Sequence, residues 1–259
     1  MTDVGPDDEH ELPLTGERTV PGIAHENYWF RRHEVVYAAL APACRGAVVL
    51  DAGAGEGYGA ASLALLARRV VATELDAPTA LHLDRRYPGV TTARADLQAI
   101  PVASAGVDVV VSLQVIEHLD DQPRFLAECA RVLRPGGRLF CATPNRLTFS
   151  PGRGPDEPPL NPFHTRELDA GELAELVADA GLTVDRVEGL HHGEALRAVD
   201  ARHGGSVIDA QIALALSGDP WPADLAADVA AVRSEDFALS ADGVDASLDL
   251  LVTARRPPR

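Results

Sequence analysis

Three acidic residues, each placed where an apolar run stops, carry the most specific chemical signal in this chain. Asp51 ends the run Val48-Val49-Leu50 and leads into a glycine-rich turn, Gly53-Ala54-Gly55-Glu56-Gly57. Glycines in such a turn let the backbone approach a ligand that a Cβ would hold off. Glu74 closes the next run, "VVATE", at the place where nucleotide folds carry a ribose-binding acid, roughly 20 residues on. Asp96 follows a third run, "VTTARAD". A second set of reactive side chains follows the fully apolar "VDVVVSL": the segment "QVIEHLDD" supplies Gln114, Glu117, His118, Asp120 and Asp121. His118 is the first candidate for a general base, because an imidazole titrates near neutral pH. His164 in "NPFHTREL" and the pair His191 and His192 in "GLHHGEALR" are further ionisable candidates. Trp221 and Phe163 are candidate aromatic platforms.

These residues need a scaffold that brings strand ends together. Apolar runs alternate with helical patterns from Val48 to Pro144, a βαβ series that predicts an α/β, Rossmann-like, doubly wound parallel sheet. "HENYWFRRHEVVYAAL" predicts a helix that covers the site, ended by Pro42. "TRELDAGELAELVADAGL" predicts a later helix with Thr165 as N-cap and Gly181 as stop. Residues 1–22 are acidic and punctuated by Pro and Gly, the composition of a flexible arm; residues 23–259 form the folded domain. Within it, 145–165 is a long Pro/Gly-rich loop, and 191–246 is an insertion with two helical patterns, a helical cap on the substrate side.

Two ligands fit a glycine-rich turn at a strand end. A dinucleotide would set its pyrophosphate against Asp51 and Glu56, a repulsive arrangement, and the strand ends too early for that register. S-adenosylmethionine (SAM) carries a sulfonium and an ammonium, so the same carboxylates help. Asp51 then anchors the methionine ammonium, Glu74 the ribose hydroxyls and Asp96, followed by Leu97, the adenine amine. Methyl transfer from SAM is an in-line displacement in which positioning supplies most of the rate. A weakly acidic hydroxyl acceptor also needs its proton removed.

The stretches "VVLDAGAGEGYG", Glu74, "ADLQAIP", "VDVVVSLQVIEHL" and "ARVLRPGGRLFCATPNR" resemble, in order and spacing, the motifs of class I SAM-dependent methyltransferases. The resemblance covers roughly residues 25 to 190 and the last strand. It implies a seven-stranded sheet with a reversed last strand. It also implies a cofactor site formed by Asp51, Gly53, Gly55, Gly57, Glu74, Leu75, Asp96, Leu97 and Gln114, closed by Tyr28 and Arg32 of the covering helix. Beside the transferable methyl it places the segment after the fourth strand, with His118 and Glu117 as catalytic candidates; His164 joins them, and His191, His192, Trp221 and Phe163 stand towards the substrate, because their loops are expected above the carboxyl end of the sheet.

A narrower resemblance runs nearly end to end. "TGERTVPGIAHENYWFRRHEVVYAALAP", "PNRLTFSPGR", "NPFHTREL", "DARHGGSVIDAQI" and "PWPADLAADVAAV" are similar to actinobacterial methyltransferases associated with methylglucose lipopolysaccharide biosynthesis. That similarity implies 6-O-methylation of glucose units in an α-1,4-glucan, hence a sugar or oligosaccharide partner. Two alternatives stay open at this point: a methyltransferase of a quinone, lipid or small metabolite, and a non-catalytic SAM-binding module.

Composition sets outer limits. The 23 cationic side chains are all Arg, so chemistry that needs a Lys, such as a P-loop or a Schiff base, is excluded. A net charge of −16 argues against nucleic acid and anionic membrane partners. Cys44, Cys129 and Cys141 are scattered without zinc spacing and read as buried thiols. No metal site is required by the spacing, although Asp120, Asp121, His118 and His164 are conceivable Mg²⁺ ligands. No leader-like segment and no run as long as a membrane span is present, which predicts a cytoplasmic protein; oligomeric state does not follow.

Overall fold

The computed structural model describes Leu12 and residues 18–258. β1 (Val48–Ala52), β2 (Arg69–Glu74), β3 (Thr91–Arg94), β4 (Val107–Leu113) and β5 (Leu133–Pro144) are parallel and lie in the order 3-2-1-4-5. The order reverses at β1, which opens a crevice at the carboxyl ends of β1 and β4. β6 (Thr183–His192), β7 (Phe237–Ser240) and β8 (Asp249–Arg255) continue the sheet as 8-6-7. β8 is antiparallel to both β5 and β6, the reversed last strand.

The expected count of seven strands is corrected to eight. β7, from the insertion, pairs antiparallel with Gly189–His192 and covers an edge of β6 that would otherwise be open. Four residues, "FALS", carry no alternation of their own, so pairing and not propensity makes this strand.

Both faces of the sheet are buried. Val49, Val109, Val111 and Phe140 face α1 (Asn27–Cys44), α2 (Tyr58–Ala64) and α3 (Ala77–Arg86) in one core. Leu50, Val110, Leu139 and Cys141 face α4 (Gln122–Val132) in the other. After the short α5 (Arg146–Phe149), α6 (Ala170–Asp179) joins that second core through Leu173 and Val177. The three cysteines are free and buried, as their apolar surroundings predict.

Two expected helix ends move. α1 runs through Pro42 to Cys44, because Leu40 and Cys44 stay buried on one stripe with Tyr28, Arg32 and Val36. α6 starts at Asp169, not Thr165: Asp169 and Glu172 form a reciprocal capping box.

The insertion 191–246 contains α7 (Glu194–Arg202), α8 (Val207–Ser217), α9 (Ala223–Ala231) and β7. α7 had no clear signal because only Leu196 and Val199 of it are buried. The insertion packs on α1, where Asn27 Nδ2 donates to the carbonyls of Val229, Ala230 and Val232 at 3.1, 3.1 and 2.9 Å. Among the described residues no helix is long and apolar enough to cross a membrane.

Candidate functional site

A cavity of about 560 Å³ opens at the carboxyl ends of β1, β2 and β4. Its wall contains Gly53, Gly55, Glu74, Leu75, Asp96, Leu97, Gln114 and His118 from the sequence-predicted set. Gly53 has φ +83°, and a Cβ there would meet the Val115 side chain at 2.5 Å. Glu74 ties two turns together: one carboxylate oxygen accepts the Gly55 N–H and the other the Leu75 N–H, each at 2.9 Å. The oxygen bonded to Leu75 also accepts the Asp76 N–H at 3.5 Å, whereas the oxygen bonded to Gly55 keeps a second lone pair. Asp96 is exposed and accepts the Gln98 N–H at 2.8 Å. Gln114 adopts φ +56°, a strained value for a non-glycine residue that sits where β4 meets the cavity.

Asp51 lies beneath this wall, fully buried, and accepts the Tyr37 hydroxyl at 3.2 and 3.3 Å. Burial pushes its carboxyl up to about 7; the Tyr37 hydrogen bond pulls it down and the Glu74 charge pushes it up again. Gly57 does not reach the cavity wall. Its φ of +104° and its packing explain the glycine: a Cβ would meet Leu83 at 2.7 Å and Tyr87 at 2.9 Å, so it seats α2 against α3.

Tyr28 and Arg32 were expected to close the cofactor site, and the structure corrects this. They lie on the core stripe of α1. Tyr28 donates to His192 Nε2 at 2.7 Å, and Arg32 forms a buried bidentate pair with Asp249. A different stripe of α1 faces the cavity, with His33 and Tyr37 four residues apart. Beside them stand Tyr58 and, from the end of the stretch expected to be a loose arm, Arg18 and Thr19. Thr19 is buried and bonds the Tyr58 hydroxyl at 3.0 Å, while His33 Nδ1 lies 2.9 Å from that hydroxyl. The rest of the expected arm falls largely outside the described residues. Arg18 is the one guanidinium lining the cavity among the described residues, and it lies 3.8 Å from Asp76.

At the other end of the cavity the 116–118 turn meets the loop before α6. Main-chain bonds join them: the Thr165 N–H donates to the Glu117 carbonyl at 2.7 Å, and the Thr165 hydroxyl to the His118 carbonyl at 3.2 Å. Gln122 Nε2 bridges both segments through the carbonyls of Ile116 and Arg166, each at 2.9 Å. Glu117 is buried and accepts the Thr143 hydroxyl at 3.0 Å. Burial pushes its carboxyl up to about 7, while neighbouring His164 and the Thr143 hydrogen bond pull it back. His118, 30% exposed, has Nδ1 3.0 Å from the Phe163 carbonyl and Nε2 4.0 Å from Glu117. The rings of His118 and His164 are 4.9 Å apart, edge to face. His164 Nδ1 is 2.6 Å from Glu167, a buried carboxylate that sequence reasoning missed. Asp120 lines the cavity, whereas Asp121 caps α4.

The residues expected towards the substrate are not gathered here. His192 joins Tyr28 to Asp200, whose carboxylate is 2.7 Å from Nδ1. His191 buries an Nε2 without a hydrogen-bond partner. Trp221 packs on the first core near His25, with ring centroids 6.0 Å apart. Phe163 is 61% exposed and touches the site through its carbonyl. No residue of 145–165 or 191–246 lines the cavity.

Comparison with known proteins gives a consistent picture. A methyltransferase-domain family matches residues 50–141. A protein of Mycolicibacterium smegmatis named a probable S-adenosylmethionine-dependent methyltransferase is 56% identical over 249 residues, covering 95% of this chain and 96% of its own. A ubiquinone biosynthesis O-methyltransferase of Xanthomonas axonopodis is 32% identical over 173 residues, covering 61% of this chain and 71% of its own. A SAM-dependent methyltransferase structure from Thermotoga maritima superposes with a TM-score of 0.60 at 15% identity, over 90% of this chain and 91% of its own; it bears on the fold alone.

Proposed function

The chain belongs to the SAM-dependent methyltransferases, and from that premise we propose that it methylates a sugar hydroxyl, the 6-hydroxyl of glucose units in an α-1,4-glucan. The cavity fits the cofactor on two counts. Its turn is shaped by a glycine at 53 whose Cβ would collide with Val115, and a buried acid, Asp51, lies beneath a Tyr that lines the wall. Glu74 would take the ribose hydroxyls and Asp96 the adenine amine. Tyr37 with Asp51 would hold the ammonium end, and Arg18, with Thr19 and Tyr58, the carboxylate. Bound there, SAM supplies a methyl group already activated on a sulfonium.

The observation that carries the acceptor class is the cluster of Glu117, His118 and His164, which meets the far end of the same cavity through His118. Alcohol protons are too weakly acidic to leave unaided at neutral pH, and a buried carboxyl with two imidazoles is equipped to remove one. His118 is the member on the cavity wall. Glucose as the sugar rests on the resemblance of the sequence to actinobacterial methyltransferases associated with methylglucose lipopolysaccharide biosynthesis. The relative of ubiquinone biosynthesis favours a second reading, an aromatic hydroxyl, over part of the chain.

Transfer of a labelled methyl group from SAM onto a panel of α-1,4-glucans, partly methylated glucans and small phenols separates the two. Label on a glucan oxygen supports the proposal; label confined to phenols rejects it.

A further inference from the structure

The cluster at the acceptor end has more structure than proton removal requires. One ligand atom each from Glu117, His118 and His164 lies within 4.8 Å of the other two. We propose that these three residues bind a divalent first-row transition metal, such as Zn²⁺ or Mn²⁺, which lowers the pKa of the acceptor hydroxyl. The inference rests on the proposed acceptor class for its chemistry, but not for the existence of the site.

Four observations support it. First, the donor set is two imidazoles and one carboxylate, which leaves coordination positions open for a substrate oxygen, and it suits Zn²⁺, Mn²⁺ or Fe²⁺ better than the oxygen-seeking Mg²⁺ or Ca²⁺. Second, each imidazole has an acceptor fixed on Nδ1: the Phe163 carbonyl at 3.0 Å for His118 and the Glu167 carboxylate at 2.6 Å for His164. Metal-ligating histidines are held this way, because the fixed N–H orients the ring and leaves the other nitrogen's lone pair for the ion. In His164 that lone pair faces Asn161 Nδ2 at 3.0 Å, a donor that yields its place to a cation.

Third, Glu167 is 1% exposed and its second oxygen has no hydrogen-bond partner. A buried carboxylate left half-satisfied is costly, and a dication beside its histidine would offset that cost. Fourth, the frame is prebuilt, because the two segments that carry the ligands are joined by the Thr165 and Gln122 bonds. Metal–ligand bonds of about 2.0–2.2 Å need ligand atoms roughly 3–3.5 Å apart. The 4.0 Å between Glu117 and His118 Nε2, within a cluster whose ligand atoms lie up to 4.8 Å apart, is longer than that, so binding the ion draws the three side chains together.

The reaction then balances as follows. The acceptor O–H bond breaks with its proton passing to water, the oxygen bonds the methyl carbon, and the carbon–sulfur bond breaks with its electron pair left on sulfur. With the ion bound, Glu117, His118 and His164 act as its ligands and not as bases; Asp120 lines the same cavity.

The test uses the full chain, stripped with a chelator and titrated with Co²⁺, Zn²⁺, Mn²⁺ and Mg²⁺. The expected result is one Co²⁺ per chain with a visible absorption band, displaced by Zn²⁺ and not by Mg²⁺. His118→Ala and Glu167→Gln should each weaken Co²⁺ binding about 10–100-fold while SAH affinity stays within about twofold. Glu167→Gln also serves if His118→Ala fails to fold. The proposal is overturned if the folded, SAH-binding protein takes up no stoichiometric transition metal. It is equally overturned if methyl transfer to a glucan runs at full rate in the stripped protein. Stoichiometric Co²⁺ binding without transfer to any glucan supports the metal site and rejects the glucan reading.

Discussion

Two clusters in this molecule each pair imidazoles with carboxyl groups and behave differently. Tyr28, His192 and Asp200 form a chain in which every link is closed: Tyr28 to His192 at 2.7 Å, His192 to Asp200 at 2.7 Å, and Asp200 onward to the Val207 N–H at 2.9 Å. It ties α1, β6, α7 and α8 together beside the buried Arg32–Asp249 pair. Burial lowers the His192 pKa, partly offset by Asp200, which keeps the ring neutral and the network structural. Glu117, His118, His164 and Glu167 form the other cluster, which touches the cavity and leaves a buried oxygen of Glu167 without a partner. A saturated network holds elements together; one that is open on one side is available for chemistry.

Four substitutions or titrations test that contrast. The largest effect is expected from Glu117→Gln or His118→Ala, which should lower kcat by about 10²–10⁴-fold with SAH affinity nearly unchanged, read by steady-state kinetics and calorimetry. Equal losses in both would merge the cluster with the cofactor site. Next, Arg32→Met should destabilise the fold by about 3–5 kcal/mol in denaturant melts, since it strands a buried Asp249; a neutral result would remove the structural reading of that region. Tyr28→Phe should cost about 1–2 kcal/mol of stability and leave turnover per folded molecule intact, whereas lost turnover would move the closed network into the active site.

The smallest effect concerns pH. The Asp51 carboxyl is raised to about 7 in the fold, so the stability it contributes is fully present below about pH 4 and is lost as pH rises to 7. Its anion is the form that attracts the cofactor ammonium. SAH affinity should therefore rise by up to about tenfold between pH 6 and 8 and level off above, and Asp51→Asn should flatten that profile.

The sequence carried the cofactor half better than the acceptor half, and the reason is local. Asp51, Glu74 and Asp96 each sit where an apolar run ends, and run ends can be read without knowing the tertiary fold. Which stripe of α1 faces the cavity cannot be read that way: 28/32/36/40/44 and 33/37 each combine a Tyr with a basic residue, and only packing separates them. Arg18 was hidden in a polar, Pro/Gly-punctuated stretch, although a chain without Lys has few cations to offer a carboxylate. Glu167 had no signal, because an acid buried against a histidine resembles any surface Glu in sequence. The parallel core followed from its apolar runs, while β7 and α7 depend on contacts made by the insertion.

The central claim is that the open cluster activates a sugar hydroxyl beside the cofactor. It is tested most directly by following a labelled methyl group from SAM to an α-1,4-glucan with the wild-type protein and with Glu117→Gln. The account predicts label on a glucose oxygen with the former and almost none with the latter, at matched SAH binding. Equal labelling by both proteins, or label found on phenols and on no glucan, would contradict it.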